Sequence, residues 1–203
     1  RDLAFVKVLS NSKKPFENNW QKTPKTYENV AKWYVNGGNY GIIGGYNDVL
    51  IIDIDRKTKD AVDITNEFLD LLPETFCVST PSGGYHFYSI CKDWDGSCNL
   101  EFNGVHIGEC RYWYLQVLGP GSIHPDYKKP YTIHKDLPIN NIEAKMIIAV
   151  LSKYMVKRID VPKKNKKWDG AQTIDISPFV KKLKLKKLGD QFVGTHPIHG
   201  SST

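Results

Sequence analysis

Asp53 and Asp55 stand two residues apart at the end of an apolar run, "VLIIDID" over residues 49–55. On a strand, residues i and i+2 share a face. The two carboxylates therefore project together, about 6–7 Å apart along the backbone, while Ile52 and Ile54 point the other way into a core. Two carboxylates on one face repel unless positive charge lies between them. A divalent cation meets that need, because hard oxygen ligands suit Mg²⁺ or Mn²⁺, and a strand end delivers such ligands rigidly at the sheet margin. The alternative is a pair of solvated acids at a strand terminus.

Two further groups follow in the chain. "STPSGGYHFY", residues 79–88, places Ser82, Gly83 and Gly84 in a tight turn ahead of His86. Glycine N–H groups in such a turn can cradle a phosphate, and a histidine on the next strand can reach a triphosphate oxygen. Otherwise His86 is a hydrogen-bonded sheet histidine. In "GECRYW" Glu109 and Arg111 also lie two apart, so one strand face offers a carboxylate and a guanidinium. A third metal ligand beside a phosphate-pairing arginine suits nucleotidyl transfer, and a cross-strand salt bridge is the plainer reading.

Cys91, Cys98, His106 and Cys110 fall within 20 residues and form a candidate zinc set, with "CKDWDGSC" as a projecting stem. The spacing is not the C-x-x-C of a zinc ribbon, so three buried thiols and a surface histidine are the alternative. If Glu109 faces the acids, Cys110 faces away from them. Cys77 lies in an apolar run and reads as core. His124, in "GSIHP", either approaches the phosphates or caps its loop. Trp33 reads as core, and Trp94, at the tip of the stem, is the best candidate for base stacking.

Periodicity and punctuation supply the elements that hold these groups. "LAFVKVLS" reads as a strand. "TYENVAKWY" reads as a helix capped by Thr26, and "NGGNYGIIGGY" as a glycine-rich link into the strand 49–55. "KDAVDITNEFLDLLP" has helical spacing and stops at Pro73. Two strands joined by a turn at 81–84 follow, then two short strands within 105–118, a turn-rich loop, and an amphipathic helix in "NIEAKMIIAVLSKYM". Residues 1–156 thus form a mixed α/β layered domain, 157–172 a basic linker, and 173–203 the start of a helical domain, with "ISPFVKKLKLKKLG" as a short basic helix. That domain is expected to continue beyond residue 203.

The 203 residues carry a net charge of +6, unevenly placed. Residues 1–150 hold 16 basic and 18 acidic side chains, and residues 151–203 hold 12 and 4. The basic C-terminal quarter, with Lys181, Lys182, Lys184, Lys186 and Lys187, points to an acidic partner, nucleic acid first. Four cysteines are few for a disulfide-built secreted domain. No apolar run approaches the roughly 20 residues of a membrane span, so a cytoplasmic location is expected.

The three motifs in this order, D-h-D at Asp53–Asp55, s-G-G-x-H at Ser82–His86 and acid-x-Arg at Glu109–Arg111, resemble the bifunctional primase–polymerase domain of the archaeo-eukaryotic primase superfamily. The resemblance spans roughly residues 20–135 and extends to "LQVLGPGSIHP". It is nearest to replication proteins of archaeal plasmids of the pRN1 type. It implies an α+β fold with a central, mostly antiparallel sheet flanked by helices around an RRM-like catalytic core. It implies that Asp53, Asp55 and Glu109 bind two Mg²⁺ or Mn²⁺ ions, although many relatives carry Asp at the third position. Ser82, Gly83, His86 and Arg111 would hold a dNTP or NTP opposite a single-stranded DNA template. Some members carry a zinc stem, and a helicase often follows the module. The reading is a DNA primase and template-dependent DNA polymerase of plasmid replication. The rivals are a non-catalytic DNA-binding replication initiator and a D-x-D glycosyltransferase, which leaves Glu109 and the basic C-terminus without a role.

Overall fold

The strand that ends in the two aspartates is the central strand of a seven-stranded sheet and is apolar on both faces for that reason. The computed structural model describes residues 3–56, 59–159, 186–188 and 191–193. In chain order the elements are β1 (Phe5–Val8), α1 (Tyr27–Val35), β2 (Asn39–Ile43), β3 (Val49–Ile54), α2 (Lys59–Leu71), β4 (Cys77–Ser79), β5 (Tyr85–Ile90), β6 (Ser97–Phe102), β7 (Val105–Arg111), β8 (Gln116–Leu118), β9 (Thr132–Lys135), α3 (Ala144–Leu151), β10 (Met155–Ile159), β11 (Lys186–Leu188) and β12 (Gln191–Val193). The chain divides into two compact units, Arg1–Val161 and Pro162–Thr203. In the second, β11 and β12 pair as an antiparallel hairpin.

Seven strands of the first unit form one antiparallel sheet in the order β10-β6-β7-β3-β5-β4-β9, and β1, β2 and β8 form a second. On one face of the large sheet, Leu50, Ile52 and Ile54 of β3 pack with Ile64 and Phe68 of α2 and with Ile147 and Leu151 of α3. On the other, Val49 and Ile51 pack with Val6 and Val8 of β1, Ile43 of β2 and Val117 of β8. Each such side chain contributes roughly 1.5–3 kcal/mol by leaving water. The strand's alternation then carries Asp53 on that second face to a cleft that β8 of the small sheet also lines. The architecture is therefore α+β with antiparallel sheets and, among the described residues, three α-helices.

Most elements follow the sequence pattern. Thr26 is the N-cap of α1, its backbone N–H donating to Asn29 Oδ1 at 3.4 Å, and α2 ends before Pro73. Four places differ. The glycine-rich link contains β2, since Ile42 and Ile43 are buried between neighbouring strands. β6 starts inside the supposed stem, at Ser97, and pairs with β7. The linker reading fails at its start, because Met155–Ile159 pairs with β6 as the sheet's edge strand. The basic helix fails at Lys186–Leu188, which is a strand, and the rest of residues 173–203 except 191–193 lies outside the described residues. Among the described residues no helix is long and apolar enough to cross a membrane.

Candidate active site

The site is built on three neighbouring strands. Asp53 of β3 is the register partner of Glu109 on β7 and of His86 on β5. Directly opposed residues place their Cβ atoms about 4.5–5.5 Å apart, so two motifs far apart in sequence flank the first one at contact distance. Arg111, two residues beyond Glu109, reaches back across the row. Its Nε donates to Asp53 Oδ2 at 2.9 Å and its Nη2 lies 3.2 Å from Glu109 Oε2. His86 Nε2 approaches Asp53 Oδ1 to 3.4 Å. Asp55 continues the Asp53 face.

A β-bulge brings in a residue assigned elsewhere by the sequence. Leu100 pairs with Gly108 but Glu101 pairs with His106, so Ile107 is an extra residue in β7. The bulge reverses the alternation. Ile107 turns into the helix-covered core, and His106 joins the acids, its Nε2 3.8 Å from Asp55 Oδ2 and 3.9 Å from Glu109 Oε1. Gly108 permits it, because a Cβ there would lie 2.3 Å from the Asp53 carbonyl oxygen.

The charges are mutually dependent. Burial works to raise the Asp53 pKa, but His86 and then Arg111 outweigh it and hold the carboxyl well below the usual carboxylate range. Burial works to lower the Arg111 pKa, and Asp53 and Glu109 raise it more. His86 is only 3% exposed, and its Nδ1 is buried without a hydrogen-bond partner. A buried polar atom without a partner costs on the order of 1–3 kcal/mol, which marks a group kept for something other than stability.

The turn that leads into β5 works differently from expectation. Gly83 N–H donates to the Thr80 carbonyl at 2.9 Å, and Gly84 N–H donates to Thr80 Oγ1 at 3.0 Å. The two glycine donors are thus spent inside the turn. The glycine at 84 answers a close approach: a Cβ there would stand 1.9 Å from the Ile54 carbonyl oxygen. What the turn offers outward is hydroxyl chemistry, since Thr80 Oγ1 and Ser82 Oγ lie 2.9 Å apart and both residues line the cleft over the acids.

That cleft, of about 170 Å³, is bordered by Asp53, Asp55, His86 and Arg111 on the large sheet and by Gln116, Val117 and Leu118 of β8 on the small one. Lys13, His124 and Tyr131 complete it. Sequence reasoning missed Lys13, Thr80, Gln116 and Tyr131, which reach the cleft through long-range packing. The one available signal was their proximity to recognised motifs, Thr80 beside the Ser82 turn and Tyr131 behind the His124 loop.

The proposed zinc set divides, with the three cysteines near one another and His106 apart from them. Cys91, Cys98 and Cys110 are buried in the core under the helices, and Cys98 and Cys110 are register partners. His106 is on the opposite face with the acids. Burial raises the Cys91 thiol to about 12. Trp94 is 7% exposed and donates its indole N–H to the Gly96 carbonyl at 2.7 Å, so it is core rather than a stacking platform. Lys181, Lys182 and Lys184 lie outside the described residues, and Lys186 and Lys187 belong to β11.

Three carboxylates converging at one sheet edge form an all-oxygen donor set, which fits Mg²⁺ or Mn²⁺. Among the described residues no three acidic, histidine or cysteine groups stand as a ready-made metal cage, because Arg111 occupies the space between Asp53 and Glu109. The donor chemistry fits; the guanidinium would have to yield its place. No curated protein matches the chain. Residues 1–145 match the family described as bifunctional DNA primase/polymerase, N-terminal, whose work is on a DNA template with nucleotide substrates. The chain belongs to that Prim-Pol family.

Proposed function

We propose that the chain is a template-dependent nucleotidyltransferase that synthesises and extends primers in the replication of a plasmid or a related mobile element, with Asp53, Asp55 and Glu109 holding two Mg²⁺ or Mn²⁺ ions. The observation that carries this is the register: Glu109, Asp53 and His86 lie side by side on β7, β3 and β5, with Arg111 across them. In the reaction the primer 3′-oxygen bonds to the α-phosphorus of the nucleotide, the bond from that phosphorus to the bridging oxygen breaks, and pyrophosphate leaves. The hydroxyl proton passes to solvent. When bound, the ions would lower the pKa of the primer hydroxyl and neutralise the departing pyrophosphate. Arg111, released from Asp53, pairs with phosphate oxygens in the forked geometry that guanidinium favours. His86 and Ser82 hold the nucleotide's polyphosphate from the β5 side.

The test is extension of a primed single-stranded template with dNTPs and Mg²⁺ or Mn²⁺, with the double variant Asp53→Asn, Asp55→Asn as control. Extension by the wild type and its loss by at least about 10³-fold in the variant supports the reading, in line with electrostatic terms of that size at transferring phosphoryl groups. A wild type that binds the template but adds no nucleotide with either ion supports instead a DNA-binding initiator. In that protein the Arg111 ion pairs with Asp53 and Glu109 would be the permanent state of the site.

A further inference from the structure

The loop 124–130 closes on its own histidine. His124 N–H donates to the Lys129 carbonyl at 2.9 Å, and Lys128 N–H donates to the His124 carbonyl at 3.0 Å. The imidazole Nδ1 accepts from Asp126 N–H at 3.1 Å and from Tyr127 N–H at 3.4 Å. An Nδ1 that accepts from backbone carries no proton, so the neutral ring is protonated at Nε2. Burial, and then Lys13, lower the His124 pKa, in keeping with a neutral ring. That ring is 4% exposed, yet it borders the cleft that holds Asp53 and Arg111, and Nε2–H is its one hydrogen-bonding group left to serve that cleft.

Its orientation is fixed by more than the loop. Tyr131 stacks on His124, with centroids 5.9 Å apart and planes at 28°, and also on His86, at 5.5 Å and 30°. One buried tyrosine thus sets the planes of two imidazoles on the same cleft. Lys13, whose charge reaches His124, lies on that cleft too and is exposed.

We propose that His124 Nε2–H and Lys13 form a second anchor for the nucleotide's polyphosphate, separate from the His86–Arg111 anchor beside the acids, and that Tyr131 is the positioning residue that aligns His86 with His124. This rests on the reading of the cleft as a nucleotide site. The anchor supplies one directed donor and one mobile point charge, which suits the outer phosphates rather than the reacting one.

The two ring nitrogens separate the proposal from a structural role. Asparagine can replace the Nδ1 acceptor and glutamine the Nε2 donor. Inorganic tripolyphosphate affinity, by calorimetry, and KM against kcat for dNTP in primer extension are measured for wild type, His124→Asn, His124→Gln and Lys13→Ala. Loss of one such contact corresponds to about tenfold. The expected result is a tenfold weaker tripolyphosphate affinity and a matching rise in KM for His124→Asn, with kcat within about twofold. Recovery to within about threefold is expected in His124→Gln, and a loss of about threefold or more in Lys13→Ala. Rescue by asparagine and not glutamine would make His124 a loop cap alone and overturn the proposal. Unchanged tripolyphosphate affinity in Lys13→Ala, whose exposed side chain is not needed for folding, overturns it as well. A wild type that fails to extend primers refutes the polymerase reading while leaving the tripolyphosphate comparison to be read. Normal extension with unchanged affinities refutes only the second anchor.

Discussion

Replacing Arg111 by methionine keeps most of the side chain's volume and removes its charge, which isolates its electrostatic part in holding the acids together. Arg111 contacts Asp53 at 2.9 Å and Glu109 at 3.2 Å, and the three side chains are 26%, 18% and 23% exposed. At an effective dielectric constant of about 20, each contact is worth roughly 5–6 kcal/mol before desolvation is subtracted. Desolvation and the partial exposure bring the net cost of truncation to about 2–4 kcal/mol, mostly the penalty of leaving two facing carboxylates without a cation. For a chain of this size that corresponds to a fall in melting temperature of roughly 5–15 °C. A divalent ion should then repair the damage, since a ligand at a hundred times its dissociation constant returns about 2.7 kcal/mol. The assay is thermal melting of wild type and Arg111→Met in chelator and in millimolar Mn²⁺. Mn²⁺ should raise the variant's melting temperature by more than the wild type's, because in the wild type the ion must first displace the guanidinium. A variant as stable as the wild type in chelator would show that Arg111 does not neutralise the acids. Equal Mn²⁺ gains in both proteins would show that Asp53 and Glu109 are not where the ion binds.

Acid should remove part of the fold's stability through Asp53. Its folded pKa is lowered, so its contribution is complete above the unfolded value of about 3.9 and is lost as pH falls from there through the folded value. The wild type's lead over Asp53→Asn in urea midpoint should therefore shrink between pH 7 and about pH 3, and a constant lead would refute the assignment. His106→Ala should leave any metal held by the buried cysteines unchanged in elemental analysis. It should raise the Mn²⁺ concentration for half-maximal primer extension about three- to tenfold, because His106 stands with Asp55 and Glu109; zinc lost with unchanged Mn²⁺ dependence would reverse that.

What the sequence made legible was whatever depends on strand alternation alone. Asp53 and Asp55 sharing a face, Ile52 and Ile54 opposing them, and Cys110 turning away from Glu109 all follow from a period of two. The hidden parts required information carried by other segments. β2 is concealed because its one glycine and those flanking it read as punctuation, while its burial comes from β1 and β8 on either side. β10 follows a helix after only a short turn and owes its existence to the unpaired edge of β6. His106 was misassigned because a bulge cancels the alternation that placed Glu109 correctly. Ile107 is a weak local hint, an apolar residue at the parity of Glu109 and Arg111. Lys13 and Tyr131 come to the cleft from a loop after β1 and from the end of the His124 loop, distances that no local pattern spans.

The same stretch of chain builds both the floor and the wall of the cleft. β7 ends at Arg111 in the large sheet, and β8 begins at Gln116 in the small one, so four residues change sheets. Two of them, Trp113 and Tyr114, have positive φ angles of 20° and 62°, a conformation that costs a non-glycine residue on the order of 1–3 kcal/mol unless its surroundings enforce it. Gly44 enforces it from β2's end, its N–H donating to the Leu115 carbonyl at 2.8 Å and its carbonyl accepting from Tyr114 N–H at 3.0 Å. A longer, relaxed crossover would satisfy the backbone as well, but it would let the two sheets part beside Arg111. The short one joins Arg111 directly to Gln116 and Val117, which line the same cleft, so the strain sits beside the site.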